Sequence, residues 1–137
     1  MRKTIREFCS RWIPGGTLIY AKGLSPDGVP DPPVIRFGLR SKSGSKLPDI
    51  VVSTKGGDLL FLVDMGENIG LITARRRMEL ASMFGGIGMK LMFITVFESR
   101  RSISKYLEEF SWGTTVWAAD APDHLIHFDG AGLAGPY

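Results

Sequence analysis

Two aspartates stand at mirror positions about a double glycine, and no other feature restricts the fold of this chain as tightly. The segment Leu47-Pro48-Asp49-Ile50-Val51-Val52-Ser53-Thr54-Lys55-Gly56-Gly57-Asp58-Leu59-Leu60-Phe61-Leu62-Val63-Asp64 holds two apolar runs joined by Gly-Gly. This pattern predicts a tight β-hairpin over 47–64, because glycine supplies the positive φ that such turns require. With Gly56-Gly57 as the loop, Lys55 faces Asp58, Ser53 faces Leu60, Val51 faces Leu62 and Asp49 faces Asp64. Directly opposed residues have Cβ atoms roughly 4.5–5.5 Å apart. Two carboxylates that close repel, and they persist with a proton or a bound cation between them. Oxygen-only ligands at this spacing suit Mg²⁺, which takes one or two carboxylates and keeps several waters. The plain alternative is that both aspartates end their strands facing water; the mirror placement favours a metal site.

The rest of the chain supplies a frame for the hairpin. Ile5, Phe8, Cys9 and Trp12 recur at helical spacing, predicting a short amphipathic helix over 2–12 that stops at Pro14-Gly15-Gly16. Residues 17–21 read as a strand. Residues 23–33 hold two Gly and four Pro and read as a loop, 34–39 as a further strand, and 40–46 as a polar connector. Thr73 is placed to cap a helix over 74–84, ended by Gly85-Gly86. The run Lys90 to Phe97 is too apolar to alternate and predicts a buried central strand. Ile103, Tyr106, Leu107 and Phe110 predict a helix within 99–112, followed by strands at 114–119 and 124–128. Strands alternating with helices in the second half imply parallel crossovers on a mixed sheet. Neither a repeat nor a second domain is apparent, so residues 1–137 read as one domain.

Charge is modest in sum and uneven in place. The net charge of the 137-residue chain is +3, which does not by itself demand nucleic acid. Arg36, Arg40, Lys42 and Lys46 form an acid-free basic stretch, and Arg75-Arg76-Arg77 a second; the acids gather at 108–109 and 120–129. Such patches can neutralise phosphates, although scattered solvated side chains explain any single cluster equally well. The lone cysteine, Cys9, excludes an intrachain disulfide and reads as an inert, buried thiol. No apolar stretch reaches the ~18 residues of a membrane span, and no signal-peptide core is present, so a cytoplasmic location without membrane contact is expected. Trp112, Trp117, Met83, Met89 and Met92 read as core.

Pro48-Asp49, a hairpin, Asp64-Met65-Gly66 and then helices on a sheet together resemble the PD-(D/E)xK nuclease fold. Longer signatures narrow the likeness: Leu47-Pro48-Asp49-Ile50-Val51, Leu60-Phe61-Leu62, Arg76-Arg77-Met78-Glu79-Leu80, Thr114-Thr115-Val116-Trp117-Ala118-Ala119-Asp120, Pro122-Asp123-His124-Leu125-Ile126-His127-Phe128 and Gly135-Pro136-Tyr137. These are similar to the C-terminal catalytic domain of the BsuBI/PstI type II restriction endonucleases, over residues 14–137. The resemblance implies an α/β, restriction-endonuclease-like core with a mixed central sheet flanked by helices. It implies a Mg²⁺-dependent enzyme, with Mn²⁺ as substitute, that hydrolyses phosphodiester bonds of double-stranded DNA.

On this resemblance Asp49 is the aspartate of the Pro-Asp motif. Asp64 stands where the family has glutamate, Arg76 and Glu79 follow on the next helix, and His124 and His127 are the C-terminal histidines. Position 66 is glycine rather than the motif lysine; Arg75, Arg76 and Lys90 are the candidate replacement cations, and Glu67 a candidate third oxygen ligand. The odd separation of His124 and His127 keeps them off one strand face, so a structural hydrogen bond is expected for at least one. Glu67-Asn68-Ile69-Gly70-Leu71 replaces the family's Thr-Ser-His-Gly-Pro, and residues 1–137 are expected to lack the family's N-terminal recognition region. A homodimer is expected, since cutting two strands calls for two sites, with a separate recognition subunit as a further candidate partner. The competing reading is a catalytically inactive DNA-binding or interaction module descended from such a nuclease.

Overall fold

The computed structural model describes residues 2–22, 47–66 and 72–129. The hairpin strands sit inside a mixed sheet whose strands lie in sequence order. These are β1 (Thr17–Ala21), β2 (Ile50–Ser53), β3 (Leu59–Met65), β4 (Lys90–Phe97), β5 (Thr114–Ala118) and β6 (Leu125–Phe128). The pairs β1/β2, β2/β3 and β5/β6 are antiparallel, whereas β3/β4 and β4/β5 run parallel. Parallel neighbours need crossovers: β3 reaches β4 through α2 (Ala74–Phe84), and β4 reaches β5 through α3 (Arg100–Ser104). A further helix among the described residues, α1 (Arg2–Trp12), precedes β1.

Strict alternation along β3 divides the interior. Leu59, Phe61, Val63 and Met65 face α1, packing with Phe8, Ile13, Ile50, Val52, Ile94, Val96 and Trp117. Leu60 and Leu62 face α2, packing with Val51, Ile72, Leu80, Met83, Phe84 and Phe93. A strand buried on both faces explains why 59–65 reads as almost continuous apolar sequence. Trp117 is fully buried, donates from Nε1 to the Pro122 carbonyl at 3.0 Å, and meets the Phe8 ring edge-on at 5.5 Å. Met83 is buried, while Met89 and Met92 are half-buried against the core. Burial pushes the Cys9 thiol up to about 11, consistent with an inert side chain.

The predicted hairpin register is observed, with Ile50 opposite Val63, Val51 opposite Leu62 and Ser53 opposite Leu60. The turn differs. Thr54 closes the ladder, its amide donating to the Leu59 carbonyl at 3.0 Å and its Oγ1 accepting from the Leu59 amide at 3.1 Å. Gly57 donates to the Thr54 carbonyl at 2.9 Å and alone in the turn takes a positive φ, 73°. A two-residue primed turn of type I′ requires two such residues. Lys55 and Asp58 therefore belong to the loop rather than forming a strand pair, and the Asp58 carbonyl accepts from the Lys90 amide at 3.2 Å.

The helix expected within 99–112 shrinks to α3. Beyond Ser104 the chain continues in turns, with Tyr106 donating to Ile103 and Glu109 to Tyr106. Ile103 and Phe110 are buried beside Phe97 as the spacing predicts, but Leu107 is exposed. The Ser111 amide reaches across to the Ile72 carbonyl at 3.1 Å. Trp112, expected in the core, is 71 % exposed and meets only the edge of Phe128 among described rings. The strand expected at 34–39 and the loop at 23–33 lie outside the described residues, and among described residues no helix is long and apolar enough to cross a membrane.

Thr73 caps α2, its Oγ1 accepting from the Arg76 amide at 3.2 Å. Thr73→Ala is expected to cost about 1 kcal/mol. Urea titration should show a lower midpoint at unchanged slope.

Candidate active site

The site lies where β3 ends and α2 begins. Asp64 occupies the penultimate position of β3, on the α2 side of the sheet by alternation from Leu60 and Leu62. Asp49 precedes β2, two residues before Val51, which also faces α2. Both acids therefore belong to one face. Two further bonds fix their mutual placement. The Asp49 amide donates to Asp64 Oδ1 at 3.2 Å, and the Met65 amide donates to Asp49 Oδ2 at 2.8 Å. At this end of the hairpin each carboxylate thus accepts an amide from the opposite strand, replacing ladder bonds between main chains. Asp49 Oδ1 receives no hydrogen bond among the described residues.

Asp64 is nearly sealed from water, at 1 % exposure. Burial is the largest influence on its carboxyl and lifts it above the ordinary aspartate value; the Arg76 contact pulls it back without cancelling the lift, and the neighbouring charge of Asp49 adds to it. Arg76 reaches down from the first turn of α2, donating from Nε to Asp64 Oδ2 at 2.9 Å and from Nη2 to Oδ1 at 3.4 Å. Its Nη1 donates to Glu79 Oε1 at 2.9 Å and its Nη2 to the Leu47 carbonyl at 3.3 Å. Burial works to lower the guanidinium, but the hydrogen bonds and charges of Asp64 and Glu79 outweigh it and hold Arg76 firmly protonated.

The candidate replacements for the motif lysine separate cleanly. Arg76 is at the site, bound to Asp64. Arg75 is exposed at the start of α2. Arg77 turns instead onto the Phe93 ring, 5.1 Å from its centroid. Lys90 is at the wrong end: parallel pairing sets it beside Leu59, whereas Asp64 lies beside Thr95. Five residues of strand separate those positions, on the order of 16 Å. At position 66 itself, a Cβ would overlap the Phe97 ring, so glycine is required and a lysine is excluded as the backbone stands.

His124 is exposed and precedes β6. His127 Nδ1 pairs with Thr115 Oγ1 at 2.9 Å, the structural hydrogen bond expected for one of the two. β6 lies three strands from β3, roughly 14 Å at ordinary spacing, so the histidines do not join the aspartates. Glu67, Arg36, Arg40, Lys42 and Lys46 lie outside the described residues. Sequence reasoning missed Phe97, whose ring fills the space beside Gly66, and Thr95, which accepts the Ile72 amide at 3.3 Å. Thr95 had one visible signal, as the hydroxyl inside the apolar run from Leu91 to Phe97.

The donor set fits a hard divalent cation. Asp49 and Asp64 offer carboxylate oxygens only, and Mg²⁺ commonly takes one or two such ligands and retains water for the rest. No group of three or more His, Cys, Asp or Glu suited to a metal occurs among the described residues.

A mixed α/β sheet with paired acids at the carboxyl end of an internal strand defines a restriction-endonuclease-like fold. The model of the BsuBI/PstI restriction endonuclease domain matches residues 1–131, and the chain belongs to that family. It is 37% identical over 139 residues to the type II restriction enzyme BsuBI of Bacillus subtilis, covering 100% of this chain and 44% of that enzyme. Identity to the type II restriction enzyme AplI of Arthrospira platensis is 33% over 140 residues, covering 95% of this chain and 43% of that one. The structure of the SdaI restriction endonuclease is similar with a TM-score of 0.80 at 30% identity, covering 99% of this chain and 44% of that one. The chain thus spans less than half the length of these relatives.

Two outcomes follow from the geometry. Gly66→Ala should destabilise the fold by about 1–3 kcal/mol through overpacking, and much of that loss should vanish in a Phe97→Leu background; equal losses in both backgrounds would contradict the clash. The raised Asp64 carboxyl means the folded state favours the protonated form, so metal-free stability from this group is present below the unfolded aspartate value and is lost as pH rises through the raised value. Asp64→Asn should therefore gain stability relative to the parent as pH climbs through that window in metal-free buffer, measured by urea unfolding at successive pH values.

Proposed function

We propose that the chain is a metal-dependent endonuclease that hydrolyses phosphodiester bonds of double-stranded DNA, with Asp49 and Asp64 holding Mg²⁺ or, in its place, Mn²⁺. The observation that carries this reading is the reciprocal amide–carboxylate bracing of two aspartates on one sheet face. It occurs in a chain whose relatives are named restriction enzymes. When bound, the ion supplies Lewis-acid stabilisation of charge on the scissile phosphate and lowers the pKa of water.

The protein's own contribution is placement. The Met65 amide holds Asp49 through Oδ2 and leaves Oδ1 without a hydrogen bond among the described residues, where it would be available to the ion. The Asp49 amide and Arg76 hold Asp64. Arg75, exposed in the first turn of α2, is suited to a DNA phosphate as a permanent charge rather than a proton acceptor. The acid-free basic stretch of Arg36, Arg40, Lys42 and Lys46 is of the charge that a duplex backbone attracts. Two-strand cleavage calls for two such sites, hence a homodimer, with target choice supplied by a second copy or a separate recognition subunit. The second reading, a DNA-binding module without chemistry, is favoured by one observation: Phe97 closes the position from which the motif lysine would act.

Plasmid DNA with Mg²⁺ or Mn²⁺ separates the two. The nuclease reading predicts nicked and linear products from the parent and background levels from Asp49→Asn and Asp64→Asn with unchanged circular dichroism. Cleavage surviving both substitutions would overturn the site. Salt-sensitive binding without cleavage by the parent would establish the second reading.

A further inference from the structure

Three donors converge on Asp64: Arg76 Nε on Oδ2, and Arg76 Nη2 with the Asp49 amide on Oδ1. A carboxylate offers about four lone-pair directions, so little of Asp64 remains for another cation while all three bonds stand. The same guanidinium also holds Glu79, one turn along α2. The two acids differ in setting, for the Asp64 side chain is 2 % exposed and that of Glu79 34 %. One arginine is therefore forked between an inner, sealed carboxylate and an outer, solvent-facing one.

We infer that Arg76 is the resident counter-ion of Asp64 and competes with the divalent cation for it. This rests on the metal-site reading above. A guanidinium and a dication on one carboxylate repel, so Arg76 gives up its Asp64 contacts as the ion is taken. Glu79 keeps the displaced guanidinium paired, which avoids stranding a partly buried charge. The arrangement also answers the loss of the motif lysine. Phe97 bars a cation at position 66, and the positive charge beside the acids comes instead from α2. Arg76 is thus a positioning residue that acts through Asp64 and sets how readily the site loads.

Calorimetric titration of the full chain with Mn²⁺, without DNA, tests this independently of cleavage. Arg76→Gln should tighten Mn²⁺ binding about five- to tenfold, the scale of a modest coupling between sites. Glu79→Gln should weaken it, because Arg76 then stays on Asp64. Unchanged or weaker binding by Arg76→Gln, with the parent still binding, overturns the competition and leaves the metal site standing. Absence of Mn²⁺ binding in parent and variants alike overturns both. Should Arg76→Gln fail to fold, Glu79→Gln at its half-exposed position decides alone, and unchanged or tighter binding there overturns the inference.

Discussion

A carboxylate sealed inside a six-stranded sheet is the constraint around which the rest of this protein is arranged. Burial of an unpaired aspartate is costly, and Asp64 is almost wholly buried. The fold answers with the Asp49 amide from the neighbouring strand and the Arg76 fork from the following helix. Neither answer neutralises the site. Asp49 brings a second negative charge to the same face, and the Asp64 carboxyl remains lifted above its ordinary value. The fold thus assembles two acids and leaves one oxygen without a hydrogen bond among the described residues, the arrangement on which the proposed cation site rests.

The scaffold explains why this concentration of charge is tolerated. β3 is flanked by strands on both sides and covered by α1 on one face and α2 on the other, and the acids sit at its carboxyl end. Ligand sites in open α/β sheets favour that end of the strands. α2 begins there because Thr73 caps it and Ile72 is anchored to Thr95. Arg76 consequently arrives over Asp64 at the first turn. Membership of the BsuBI/PstI family agrees with this layout, and the chain spans less than half the length of its relatives.

The hairpin was legible because period-two alternation and the glycine turn fix register locally, which brought Asp49 opposite Asp64 before any tertiary information. α1, α2 and the apolar β4 were legible for the same reason, each resting on its own periodicity or caps. What failed was non-local. Lys90 looked available until parallel pairing carried it to the turn end of the hairpin. The vacancy for a lysine at position 66 depends on Phe97, a residue on another strand. Trp112 directly follows a main-chain bond from Ser111 back to Ile72, a long-range contact that no window of sequence contains.

Anomalous diffraction from a crystal soaked in Mn²⁺ tests the central claim most directly. The account predicts a single strong peak within ordinary coordination distance of one oxygen each from Asp49 and Asp64. A map with no peak between them, or with Arg76 still bridging Asp64 and a peak elsewhere, would contradict it.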